Sequence, residues 1–176
     1  MTPAGIIFLI GTAAIVVFSW RFSIRARRYH GIARFFAFES ILALLVLNER
    51  YWLSRPFSGN QILSWLFLFA SIPPAVLGTG LLIRLGKPDG QLENTTRLVT
   101  IGIYRRIRHP LYLSIGLLGF GIFLKNVTLQ TAFLAALVVL AVTLTAVVEE
   151  REMKARFGRV YEDYMKTTKR FIPWVF

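Results

Sequence analysis

The sequence predicts an all-α protein, a multi-pass transmembrane helical bundle of about five membrane helices with a cytoplasmic C-terminal helical tail. Three observations carry that prediction. Of the 176 residues, 55% are hydrophobic, more than an ordinary soluble domain holds. The apolar residues fall into blocks close to the ~20 that a helix needs to cross a bilayer core. Finally, 18 of the 21 Lys and Arg residues lie in alternate segments between those blocks, the asymmetry of the positive-inside rule.

The first block, PAGIIFLIGTAAIVVFSW (3–20), is a membrane helix and not a cleaved leader. The first charge, Arg21, follows the apolar run, and SWRF offers no small-residue cleavage site. The second block, FFAFESILALLVLNERYWL (35–53), carries Glu39 about one turn from its basic end. A carboxylate there needs a partner or a cavity; Arg34 or another loop arginine is the simplest partner. Asn48 and Glu49, at the far end, are accounted for by interfacial water.

The third block, ILSWLFLFASIPPAVLGTGLLIRL (62–85), contains Pro73-Pro74, whose missing amide donors predict a kink. The fourth, LYLSIGLLGFGIFL (111–124), reaches only ~21 Å as a helix and spans with help from its flanks. The fifth, TLQTAFLAALVVLAVTLTAVV (128–148), follows after only a few residues, so helices 4 and 5 form an antiparallel hairpin. Five spans with this charge bias place the N-terminus outside and the C-terminus inside.

The net charge of +12 is the inner-face signature of such a protein, attracted to anionic membrane lipid. It does not describe a nucleic-acid-binding face. With no cysteine and two histidines, thiolate chemistry, cysteine-ligated zinc and iron–sulfur clusters are excluded, and no metal site is expected.

The chemistry concentrates at the inner end of the hairpin. In GIYRRIRHPLYLSIG (102–116) three arginines and His109 precede Pro110. Pro110 suits the first turn of helix 4, whose free amides favour an anion. Across the hairpin, VVEEREMKARFGRVYEDYMKTTKRFIPWVF places Glu149 and Glu150 where the membrane ends. Neighbours on a helix, they point about 100° apart, so one can face the bundle while the other meets an inward loop. Glu152 and Arg156 are spaced to pair on one face. Phe157, Tyr161 and Tyr164 form an aromatic stripe, suited either to a pocket wall or to a helix lying at headgroup level. A cationic corner beside an acidic one, with aromatics near, fits a zwitterionic ligand.

LVTIGIYRRIRHPLYLS, followed after a hydrophobic hairpin by EEREMKARFGRVYEDY and RFIP, resembles the isoprenylcysteine carboxyl methyltransferase family, which is related to membrane phospholipid methyltransferases. The resemblance covers roughly residues 84–173 and leaves 1–83 as variable N-terminal helices of a single domain, 1–176. It implies an integral membrane enzyme that uses S-adenosylmethionine at the cytoplasmic face. The cofactor would be held by Arg108, His109, Pro110 and Tyr112 with Glu149 and Glu150, and Tyr161 and Tyr164 as walls. Glu150 and Arg156 are the implied catalytic residues, Arg156 as the orienter of a lipophilic acceptor. That acceptor is either the carboxylate of a prenylated cysteine-like substrate or a lipid amine. Ser114 stands where the family commonly has Gly, and Thr167 where it often has a basic residue.

S-Adenosylmethionine agrees with the residues themselves: cations suit its carboxylate, a glutamate its ammonium, and aromatic faces its sulfonium. A soluble nucleotide-binding sheet has no room among five spans. Two other classes compete. Sterol reductases, which use a nicotinamide cofactor, carry a similar RHP segment, but their downstream cysteine-containing segment is missing here. A non-catalytic membrane protein is the third.

Overall fold

The computed structural model describes residues 2–25, 29–87 and 95–175. Six α-helices account for most of them: α1 (Pro3–Ser19), α2 (His30–Leu47), α3 (Gly59–Leu85), α4 (Pro110–Phe123), α5 (Leu129–Phe157) and α6 (Arg159–Thr167). The described residues form no strand; an isolated parallel bridge joins Ile107 to Lys169. The all-α expectation is met. By length and composition, α1, α2, α3 and α5 can each cross a membrane, and α4 is the shorter apolar helix between them.

The bundle is built around α5. α2 packs along α5, α4 forms the expected hairpin with α5, α3 lies along α4, and α1 packs on α2 and the turn after α1. The core is Ala37, Ile41 and Leu44 of α2, Tyr112 and Ile122 of α4, and Val138, Ala141, Val142 and Ala146 of α5, with Leu68 of α3. The outer faces of α1 and α3 expose Ile7, Ile10, Val17, Leu66, Phe69 and Val76, as lipid contact requires. Between apolar helices in lipid, close packing and hydrogen bonds replace the hydrophobic drive. The α3–α4 seam accordingly uses small polar residues. Ser64 Oγ donates to the Gly121 carbonyl at 2.7 Å, and Ser114 Oγ donates to the Ser71 carbonyl at 2.6 Å. The serine that departs from the family glycine is therefore a helix–helix tie. It falls beside Pro73-Pro74, through which α3 runs without a break.

Several local expectations change. α2 begins at His30, five residues before the apolar block, so Glu39 lies two and a half turns in. Its partner is Thr12 of α1, which donates to Oε2 at 3.1 Å. Asn48 is not at a wet interface: it is fully buried and donates to the Ile122 carbonyl at 2.8 Å. Lys125, one of the three basic residues outside the alternate segments, is also buried. Its ammonium sits 3.9 Å from the Trp65 ring centroid and 3.0 Å from Gln61 Oε1, closing the end of the α4–α5 hairpin away from the RHP segment.

Candidate active site

At the opposite end of the hairpin the chain must turn from a loop into α4 and out of α5. A short 3-10 turn, Gly102–Arg105, brings the loop in. His109 precedes α4 and Pro110 opens it, the place where a missing N–H is harmless. α5 stops at Gly158, whose φ of +55° and ψ of −135° few residues other than glycine adopt. The chain turns there into α6. After α6 the backbone runs beside 106–109. The Arg108 amide donates to the Lys169 carbonyl at 2.8 Å, the His109 amide to Arg170 at 3.1 Å, and the Lys169 amide to Arg106 at 3.2 Å. The C-terminal strap thus holds the RHP segment by its backbone.

Glu150 is the electrostatic centre of this corner. Its Oε1 lies 2.9 Å from both Nε and Nη2 of Arg108, and its Oε2 lies 2.9 Å from Arg170 Nη2. Arg108 Nη1 also donates to the carbonyl of Thr168. The Glu150 and Arg108 side chains are only 5% and 8% exposed. A carboxylate this buried needs such charge-assisted, fully bonded partners. Glu150 therefore serves as a tie between α5, the RHP segment and the strap.

Glu149 points elsewhere. With His109, Tyr112 and Arg108 it lines a cavity that opens to the outside. Tyr104, Tyr161 and Tyr164 form further walls, and Leu82, Leu98, Val99, Leu111 and Met153 supply an apolar side. The tyrosines are held in place: Tyr164 OH donates to the Tyr104 carbonyl at 2.6 Å, and Tyr161 and Tyr164 rings lie 5.8 Å apart. Burial pushes the phenols of Tyr104, Tyr161 and Tyr164 far above their ordinary range, so they stay neutral.

His109 joins the two acids. Its Nδ1 is 3.6 Å from Glu149 Oε2 and its Nε2 is 3.4 Å from Glu150 Oε1, with the ring stacked at 5.5 Å on Tyr112. Burial alone would favour the neutral ring; the two flanking carboxylates outweigh it and hold the imidazole pKa above its usual value. Yet Nε2, buried, makes no hydrogen bond among the described residues. The nearest acceptor, Glu150 Oε1, is already engaged by Arg108 and Arg170.

Of the residues singled out from sequence, Arg108, His109, Pro110, Tyr112, Glu149, Tyr161 and Tyr164 line the cavity together. Glu150 sits behind them and does not line it. Arg156 is not brought there: it is exposed, with its guanidinium 5.6 Å from the ring of its neighbour Phe157. Nor does it pair with Glu152, whose Oε2 lies 2.8 Å from His30 Nδ1. The break at Gly158 is the reason the aromatic stripe fails as a single face, since it turns Tyr161 and Tyr164 inward and buries them. Tyr104 and Arg170 are additions. Both stand in quoted segments, GIYRRIRH and RFIP, but only the positive-φ turn at Gly102 and the strap aim them here. No cluster of metal-ligating side chains occurs among the described residues.

A family model described as phospholipid methyltransferase matches residues 79–160. That span is just under half of the chain and contains the RHP segment, the hairpin, both glutamates and Gly158. It bears out the resemblance, and the family is one of membrane methyltransferases. No curated protein and no solved structure matches the chain.

The tie predicts a sharp difference between two substitutions. Glu150→Ala strands Arg108 as a buried, unpaired cation and should remove roughly 3–5 kcal/mol of stability. Arg156→Ala, at an exposed position, should stay within about 0.5 kcal/mol. Thermal unfolding of detergent-purified protein compares them, and equal melting temperatures would contradict the assignment.

Proposed function

We propose that the chain is an S-adenosylmethionine-dependent methyltransferase acting on a lipid-borne amine at the cytoplasmic face of a membrane. The observation that carries the reading is the cavity wall itself. A carboxylate (Glu149), a histidine (His109) and four tyrosines meet in one space. The cofactor's amino-acid end has the complementary pair of groups: its ammonium suits Glu149, and its carboxylate suits His109 in the protonated form. Its sulfonium suits neutral aromatic faces, to which cations are attracted. When bound, the cofactor supplies an activated methyl group. The protein's part is to hold the reactants in line, where positioning contributes most.

The same wall favours an amine over a carboxylate acceptor. An acceptor carboxylate needs a cation to hold it, and the two guanidiniums of the corner, Arg108 and Arg170, are both bound to Glu150. Arg156, the residue implied for that role, lies outside. An amine needs no such cation. It must attack in its neutral form, and with Glu149 engaged by the cofactor the described lining offers no second carboxylate to take its proton. The neutral fraction then comes from the acceptor's own equilibrium. The apolar side formed by Leu82, Leu98, Val99 and Leu111 suits the lipid portion of the acceptor, which enters from the surrounding membrane.

Two measurements test this reading. S-Adenosylhomocysteine should raise the melting temperature of the purified protein and NADPH should not; stabilisation by NADPH alone would overturn the reading in favour of a reductase. Under saturating cofactor, methyl transfer should rise about tenfold per pH unit until the acceptor amine's pKa is reached. A pH-independent rate between pH 6 and about pH 8 would instead mark a carboxylate acceptor.

A further inference from the structure

Beyond the Glu150 tie, the strap leads into a turn whose side chains the fold leaves uncovered. The bridge between Ile107 and Lys169 is parallel. Residues 168–171 therefore run in the direction of 106–109, the direction in which the chain enters α4. Phe171 completes that run: it is buried, with its ring 6.2 Å from that of His109. The chain then turns, the Val175 amide donating to the Ile172 carbonyl at 3.2 Å. The turn 172–175 thus lies beside the entry to α4, where the apolar hairpin begins.

Among the described residues nothing covers this turn. Ile172, Trp174 and Val175 are exposed, Trp174 to 80%. Trp174 also adopts a φ of +65°, a region that a bulky residue enters only at a cost. Burial does not offset that cost. The indole lies instead 5.7 Å from the Arg106 guanidinium. Two more cations stand close by. The Lys169 amide donates to the Arg106 carbonyl, and Arg105 is the preceding residue. Arg105, Arg106 and Lys169 are all exposed, and among the described residues none of them enters an ion pair.

The surface is therefore cationic and apolar at once. Water suits the first property and not the second. A bilayer surface suits both: indoles favour the headgroup level, and small apolar side chains reach the acyl boundary. Lys and Arg, for their part, are drawn to anionic lipid. A zwitterionic surface would answer the apolar half alone.

We propose that the turn 172–175, with Arg105, Arg106 and Lys169, is a docking surface for the headgroups of anionic phospholipids in the membrane that the helices span. It sits on the segment that closes the site, since Arg170, next to Lys169, binds Glu150. The proposal does not depend on which cofactor or acceptor the cavity takes.

The test uses the full-length protein in nanodiscs of equal parts phosphatidylcholine and phosphatidylglycerol, with bromine on the acyl chains of one lipid or the other. Bromine quenches only nearby indoles, and the Trp174 signal is the difference between the parent and Trp174→Phe. Brominated phosphatidylglycerol should quench Trp174 at least about twofold more than brominated phosphatidylcholine, given the attraction of each surface cation to anionic lipid. About 1 M salt, which screens charges beyond ~3 Å, should remove the difference. Combining Arg105→Gln, Arg106→Gln and Lys169→Gln should remove it too, with Trp174 still quenched by both lipids. Equal quenching by the two lipids in the parent would leave only ordinary membrane contact and overturn the proposal. No quenching by either would place the turn away from the bilayer and overturn it in favour of a soluble partner. A preference that survives the triple substitution would overturn it as well. Where that variant fails to accumulate, the salt series decides, and a preference that persists at high salt has the same consequence.

Discussion

The constraint on which the site end of this protein depends is the burial of one carboxylate. Glu150 closes the apolar run of α5 at 3% exposure, and a charge so placed is tolerable only when its oxygens are fully bonded to opposite charge. Arg108 and Arg170 meet that need from two different parts of the chain. In doing so they fix the start of α4, the end of α5 and the C-terminal strap relative to one another. The neighbouring side chains then have no choice of direction. Glu149, one residue earlier, is turned about 100° away and faces the cavity, while His109 bridges the two acids. One acid ties the architecture together and its neighbour is left to the cavity wall.

The helices divide in a similar way. α2, α4 and α5 form the packed centre, whereas α1 and α3 lie at its edges with much of their surface toward lipid. One edge helix still reaches the cavity. α3 brings Leu82 to its apolar side, and the turn after α1 fixes the first residue of α2 through Ser23, Gly31 and Arg34.

Much of this was legible in the sequence, and the exceptions have a common cause. Apolar block length revealed the helices. The short link between the last two blocks put RHP beside the double glutamate, because an antiparallel hairpin allows nothing else. What composition and spacing do not encode is the partner that comes from far away. Spacing pairs Glu152 with Arg156, but His30, 122 residues distant, takes it. The same holds for Asn48 with the Ile122 carbonyl and for Glu39 with Thr12. The other failure is a local break. A helix continued past Phe157 would keep Phe157, Tyr161 and Tyr164 on one stripe, but the helix breaks at Gly158, and the tyrosines line the cavity wall. Glycine at that point was visible; its conformation was not. Arg156 was then left on the outside.

The central claim is that the hollow beside the Glu150 tie is where an adenosyl cofactor binds. Photolabelling with an azido-adenosyl analogue of the cofactor, followed by mass-spectrometric mapping of the modified peptide, tests it most directly. Competed by S-adenosylhomocysteine, the label should fall within residues 95–112 or 149–164. Competable labelling confined to residues 35–70 would place the cofactor elsewhere and contradict the account.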